Sequence, residues 1–158
     1  MNFKDKPRVS DQTMLIMPYT FSEGVYGSYV LEKDEEYFCY DTPKQLMNDV
    51  CNYYSCSLKG RIDGTKKVFG VTRKAPIVIE PVSGMFFLPT TSPSARDCMW
   101  IAHSHVQRLE KVKQKETQIY FHGGKTLTVE LSYTSLTNQL QRTAQYRHLV
   151  MERISQYS

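Results

Sequence analysis

Gly84-Met85-Phe86-Phe87-Leu88-Pro89 leads through a polar loop holding Pro93 and Arg96 into Cys98-Met99-Trp100-Ile101-Ala102-His103-Ser104-His105-Val106-Gln107-Arg108. Met85 to Leu88 reads as a short apolar strand. Pro89 stops it, because proline brings no N–H to a ladder. From Trp100 the residues alternate: Trp100, Ala102, Ser104 and Val106 form one set, Ile101, His103, His105 and Gln107 the other. A period of two marks a strand with two distinct faces. Trp100 is the only tryptophan, and a side chain of that size is a natural core anchor. Two strands joined by a proline-bounded loop therefore form the hub on which the rest should pack.

Upstream of the hub, Thr13 to Met17 is an apolar run ended by Pro18, a first strand. Gly24 and Gly27 flank a turn into a second strand, Tyr26 to Leu31, and Lys33 to Glu36 is a charged connection. Tyr37 to Tyr40 gives a short third strand. Asp41-Thr42-Pro43 is a helix start, with a capping side chain and proline in the first turn. Leu46, Val50, Tyr53 and Tyr54 continue it at helical spacing, which predicts a helix over Pro43 to Ser55. Residues 57–74 carry Lys59, Arg61, Lys66, Lys67, Arg73 and Lys74 against the single acid Asp63. Gly60, Gly64 and Gly70 interrupt this basic stretch, so the expectation is a mobile helix–loop. Ile77 to Ile79 should pair with Met85 to Leu88.

Downstream, Arg108 to Glu116 is charged and extended. Thr117 to Phe121 and Leu127 to Leu131 are strands, and His122-Gly123-Gly124-Lys125 between them is a hairpin turn, since adjacent glycines tolerate positive φ. A final helix over Ser135 to Ser155 carries the stripe Leu136, Leu140, Ala144, Val150, Met151 and Ile154. Arg147 falls inside that stripe, either covering core with its stem or paired inward with Glu130 or another acid. Arg142, Tyr146 and Arg153 line the next face. The predicted class is α+β: a mostly antiparallel sheet, one internal helix and a C-terminal helix, in one domain over residues 1–158.

With 158 residues, 41% hydrophobic and 23% charged, the composition is that of a globular chain. No segment approaches the roughly 18 apolar residues of a membrane span, and residues 1–6 are not followed by a signal-type apolar run. The expectation is a cytoplasmic protein without membrane contact. Cys39, Cys51, Cys56 and Cys98 are too scattered for a disulfide framework. A net charge of +4 permits an anionic partner without requiring one.

Catalytic and metal chemistry find little support. His103 and His105, two apart on a strand, would point to one side with Cys98 near, but no second ligand pair exists. Ser104 lies on the opposite side by alternation and cannot serve those imidazoles. No nucleophile elbow, phosphate loop or dinucleotide fingerprint occurs. Cys51 and Cys56, five apart on a predicted helix, diverge and read as small core residues. Neither an enzyme, nor a metal site, nor a cofactor is expected. The basic stretch is the stronger signal, because its glycines admit close backbone approach and its lysines and arginines suit phosphates along a groove.

Several of these residues together resemble a known family. Phe86-Phe87-Leu88-Pro89-Thr90, Cys98-x-Trp100-Ile101 and His103-x-His105-Val106 are similar to the core signature of the competence transcription factor (ComK) family. Gly60-Arg61, Lys74-x-Pro76-Ile77, Ser132-Tyr133-x-Ser135 and Asn138-Gln139-x-x-Arg142-Thr143-Ala144 extend the resemblance over roughly residues 12–154. It implies a nucleoid-associated transcriptional activator of DNA-uptake genes that binds paired A/T-rich boxes of double-stranded DNA from the minor groove, as a homo-oligomer and without cofactor. A narrow A/T-rich minor groove is strongly negative and attracts inserted Arg and Lys. Charge and glycine placement, not the resemblance, select Lys59, Arg61, Lys66, Lys67, Arg73, Lys74 and Arg142 as the DNA-binding side chains.

Two departures stand out. Longer members read Ser-Cys-Arg-Phe where this chain has Val50-Cys51-Asn52-Tyr53, so a basic group is missing at Asn52. Members also commonly run on into a tail bound by a proteolytic adaptor, whereas this sequence stops at Ser158, which implies escape from that turnover. Both departures keep an alternative in view: a divergent paralogue that modulates a full-length relative by protein contact, without productive DNA binding.

Overall fold

A computed structural model of the chain describes residues 1–71 and 73–155. Thr72, inside the predicted basic stretch, and residues 156–158, at the end of the predicted domain, lie outside the described residues. Among the described residues, nine strands and three α-helices follow in the order β1 Thr13–Ser22, β2 Val25–Glu32, β3 Glu36–Cys39, α1 Pro43–Tyr53, α2 Leu58–Phe69, β4 Ile77–Glu80, β5 Met85–Pro89, β6 Trp100–Ala102, β7 Val106–Lys113, β8 Glu116–Phe121, β9 Thr126–Val129 and α3 Tyr133–Ser155. A six-stranded antiparallel sheet has the order β3-β2-β1-β6-β5-β4, and a three-stranded one the order β7-β8-β9. The α+β class and the C-terminal helix are as expected.

The hub is central, with one correction. β6 runs between β1 and β5 inside the large sheet, and β5 between β6 and the edge strand β4, with Leu88 paired to Ile101 and Pro89 to Trp100. The alternation from Trp100 to Gln107 is not one strand. A single 3₁₀ turn, His103–His105, breaks it, and the chain leaves the large sheet for β7 of the small one. Trp100, Ile101 and Ala102 are all buried, because both faces of the large sheet are covered. β1 also runs through Pro18 rather than ending there. Pro18 lies beyond the two residues, Leu15 and Ile16, that pair with β6, so its missing N–H interrupts no ladder on that side.

One face of the large sheet packs Ile16, Val30, Ile77, Phe87 and Trp100 against Leu46, Met47 and Val50 of α1 and Leu58 of α2. The opposite face packs Leu15, Leu88 and Ile101 against Ile119, Phe121 and Val129 of the small sheet and Leu136 of α3. Farther along α3, Tyr146 meets Phe86 and Val78 of the β4–β5 hairpin.

The buried side of α3 also differs from the predicted stripe. Leu136, Gln139, Thr143 and Tyr146 are buried, while Ala144, Met151 and Ile154 are exposed. Gln139 was masked in the hydropathy pattern by its polarity, yet it is buried because its amide is satisfied. Nε2 donates to the carbonyls of Lys74 at 2.5 Å and Pro89 at 3.0 Å. No helix among the described residues is long and apolar enough to cross a membrane.

Candidate nucleic-acid interface

The basic stretch folds as a regular helix, not as a mobile helix–loop. Ser57 caps α2, its hydroxyl accepting from Gly60 N at 3.0 Å, and Gly70 ends it in the left-handed conformation at φ 74°. Leu58 and Thr65 are buried and Ile62 half-buried on the inner side, so tertiary packing offsets the low helix propensity of Gly60 and Gly64. Both glycines lie on exposed positions.

The cations of the stretch divide into groups. Lys59, Lys66 and Lys67 are exposed on the outer flank of α2. Lys59 and Lys66 line a groove of about 530 Å³ together with Lys44 and Gln45 of α1 and the Ser92–Pro93–Ser94 loop. Lys59 also pairs with Asp63 at 2.8 Å. That hydrogen bond raises the lysine pKa and lowers the carboxyl pKa, holding both ionised.

A second groove of about 540 Å³ adjoins the first, sharing Lys44, Pro93 and Ser94 with it. It runs on past Arg96, Tyr26 and Pro43, with Trp100 in its lining. Arg96 lies over the Tyr26 ring, 4.2 Å from its centroid, and donates to the Tyr26 hydroxyl at 2.6 Å. The two grooves form one trough bordered by Arg96, Lys44, Lys59 and Lys66. Asp97 lines it too, and Lys59 at its border is the lysine paired with Asp63.

Arg73, Lys74 and Arg142 form a separate group. Arg142 Nη1 donates to the Arg73 carbonyl at 3.2 Å, and Lys74 adopts φ 50° with its carbonyl held by Gln139. Arg61 belongs to neither group. It points inward, Nε donating to Cys56 Sγ at 3.2 Å and Nη2 to the Ile79 carbonyl at 3.4 Å. The fold thus gathers Lys59 and Lys66, keeps Arg73, Lys74 and Arg142 as a second cluster, and turns Arg61 into the protein. Lys44 was missed by the charge-density reading because it stands alone in the sequence. Its place just after the Thr42-Pro43 cap was the available signal, since a cation there is poorly placed for the helix dipole.

The two histidines of the hub have different partners. His103 and His105 sit on the 3₁₀ turn and diverge: Nδ1 of His103 is 3.5 Å from Arg147 Nη1, and Nε2 of His105 is 2.7 Å from the Asp11 carbonyl. Among the described residues no group of three or more His, Cys, Asp or Glu side chains is placed to share an ion. Arg147 makes no ion pair among the described residues, with Glu130 or any other acid. It donates to Ser104 Oγ at 2.7 Å and lies 5.1 Å from the centre of the Phe86 ring. Ser104 Oγ in turn donates to the Gly84 carbonyl at 2.7 Å.

Comparison with known proteins agrees with the resemblance carried by the hub residues. The chain is 32% identical over 146 residues to a "Competence transcription factor" of Bacillus subtilis (strain 168), covering 92% of this chain and 76% of that relative. No solved structure gives a significant match. The family model described as ComK protein matches residues 4–155, essentially the whole described fold, and the chain therefore belongs to the ComK family.

Proposed function

We propose that this protein is a DNA-binding transcriptional activator of competence genes that lays the trough beside α2 against A/T-rich duplex DNA, acting as a homo-oligomer. The observation that carries the reading is the convergence of Lys59 and Lys66 of α2 with Lys44 of α1 on one groove. Ammonium groups on one wall can each neutralise a phosphate and release its counterions. Arg73, Lys74 and Arg142 supply a second set of positive charges, and an arginine there can enter a narrow, negative minor groove. Arg61 contributes by holding α2 to β4 through Ile79 rather than by reaching outward.

Fluorescence anisotropy against tandem A/T boxes and a G/C-rich duplex of equal length tests this. Affinity should fall with salt at a slope of about −0.9 per phosphate neutralised, and each of Lys44→Ala, Lys59→Ala and Lys66→Ala should shallow that slope by up to that amount. Equal binding to both duplexes, or slopes unchanged in the triple variant, would remove the reading.

A second reading, a protein-interaction modulator of a longer relative, is favoured by the aromatic patch on β1–β3. Phe3, Tyr19, Phe21, Phe38 and Tyr40 touch one another, with centroids 4.8–5.5 Å apart in the nearer pairs, and Phe3 and Tyr40 are exposed. Exposed aromatic clusters mark protein contacts. Sedimentation of a mixture with a longer family member, with and without DNA, should show a mixed complex if this role operates.

A further inference from the structure

The link between α1 and α2 reverses the sequence expectation for Cys51 and Cys56. On a continuous helix the two would diverge, but α1 ends at Tyr53 and Ser55 takes φ 64°. The backbone then closes with Cys56 N–H donating to the Cys51 carbonyl at 2.9 Å and Ser55 N–H to the Asn52 carbonyl at 3.0 Å. That pair of bonds is the Schellman helix ending, which brings the side chains of its first and last residues into contact. Here those residues are the two cysteines. Cys56 Sγ lies 3.2 Å from the Cys51 carbonyl oxygen.

Their environments differ as the two partners of a redox pair require. Cys56 is half-buried, with Arg61 Nε 3.2 Å from its sulfur, so a positive charge and an N–H donor meet any anion formed there. Cys51 is fully buried, and its thiol is pushed up to about 12 by burial and by the neighbouring Cys56 thiol. Cys39 and Cys98 are buried with other partners, Cys39 Sγ donating to the Asp41 carbonyl and Cys98 Sγ to the Thr91 and Met99 carbonyls.

We propose that Cys56 and Cys51 are a peroxide-oxidisable dithiol, with Cys56 the attacking sulfur and Cys51 the resolving one. Cys56 releases its proton and attacks one oxygen of hydrogen peroxide. The O–O bond breaks, the leaving hydroxide takes up a proton to become water, and the sulfur is oxidised to a sulfenic acid. Cys51 sulfur then attacks that sulfur. The S–S bond forms, the S–O bond breaks, and the hydroxyl leaves with the Cys51 proton as a second water. Two thiols and one peroxide thus give a disulfide and two waters. A cellular dithiol reductant reverses the step by thiol–disulfide exchange. The bond removes the Cys56 thiol from Arg61, so the oxidation state is felt at the root of the basic helix. Any consequence for DNA rests on the function proposed above, whereas the oxidation itself does not.

The test uses the full chain treated with hydrogen peroxide, then unfolded in an alkylating reagent and digested with trypsin. Lys44 and Lys59 bracket a peptide, residues 45–59, that holds both cysteines. Unmodified protein is expected to yield that peptide short of two hydrogens and free of alkyl groups, while Cys39 and Cys98 are alkylated. Cys51→Ser should leave a sulfenic acid on Cys56 that dimedone captures, and Arg61→Gln should slow oxidation several-fold. The proposal is overturned if the 45–59 peptide carries two alkyl groups as often as Cys39 and Cys98 carry one, or if the disulfide links two chains. The unmodified-chain result decides without depending on whether either variant folds.

Discussion

Gly27 sits on β2 where a side chain has no room. A Cβ there would stand 2.1 Å from the Cys39 carbonyl oxygen and 2.7 Å from the Phe21 ring. Gly27→Ala must therefore push β3 away from β2, and overpacking of this kind costs about 1–3 kcal/mol. Urea unfolding should show the loss, and an unchanged midpoint would mean β3 is not held at that spacing. His103 offers a second test. Its pKa is lowered from 6.5, first by burial and then by the Arg147 charge. The unfolded chain thus binds the proton more readily than the folded one. The His103 contribution to stability is complete above pH 6.5 and is lost as pH falls from there through the folded value. Melting temperatures measured across that window should drop toward acid, and His103→Asn should flatten the drop. A parallel fall in both proteins would assign it elsewhere.

At the scale of elements, local chemistry sets where helices begin. Thr42 accepts from Gln45 N at 3.3 Å while Gln45 Oε1 accepts from Thr42 N at 2.8 Å, a complete capping box. Thr42→Ala should cost about 1 kcal/mol, read from chemical denaturation, whereas Thr42→Ser should retain most of it. Equal losses in both would show that the methyl group, not the hydroxyl, matters. This start was legible in Asp41-Thr42-Pro43. The order of α2 was not, because glycine content argues only about the isolated helix. The contacts of Leu58, Ile62 and Thr65 with the rest of the chain were needed to hold it.

Across the whole molecule, Gln139 joins three distant parts of the chain. From α3 it reaches the carbonyl of Lys74 before β4 and that of Pro89 at the end of β5. Gln139→Leu would leave both carbonyls without this donor, at a cost of about 1–3 kcal/mol for each that stays dry. Equilibrium unfolding should register it, with amide exchange of residues 73–77 rising beside it. No change in either would show that water replaces the amide. The same residue displays the limit of reading from hydropathy. Strands, hairpins, the Thr42 cap and the hub follow from local rules: proline and glycine punctuation, alternation, and the bulk of Trp100. The amino-acid order by itself therefore determined the α+β class, most elements and the family resemblance. Tertiary structure alone decided which face of α3 is buried, that Arg61 turns inward while Lys44 joins Lys59 and Lys66, and that Cys51 meets Cys56. The first two outcomes depend on which polar groups find partners when distant segments meet, and the third on the left-handed turn at Ser55 that ends α1, and sequence spacing carries no term for either.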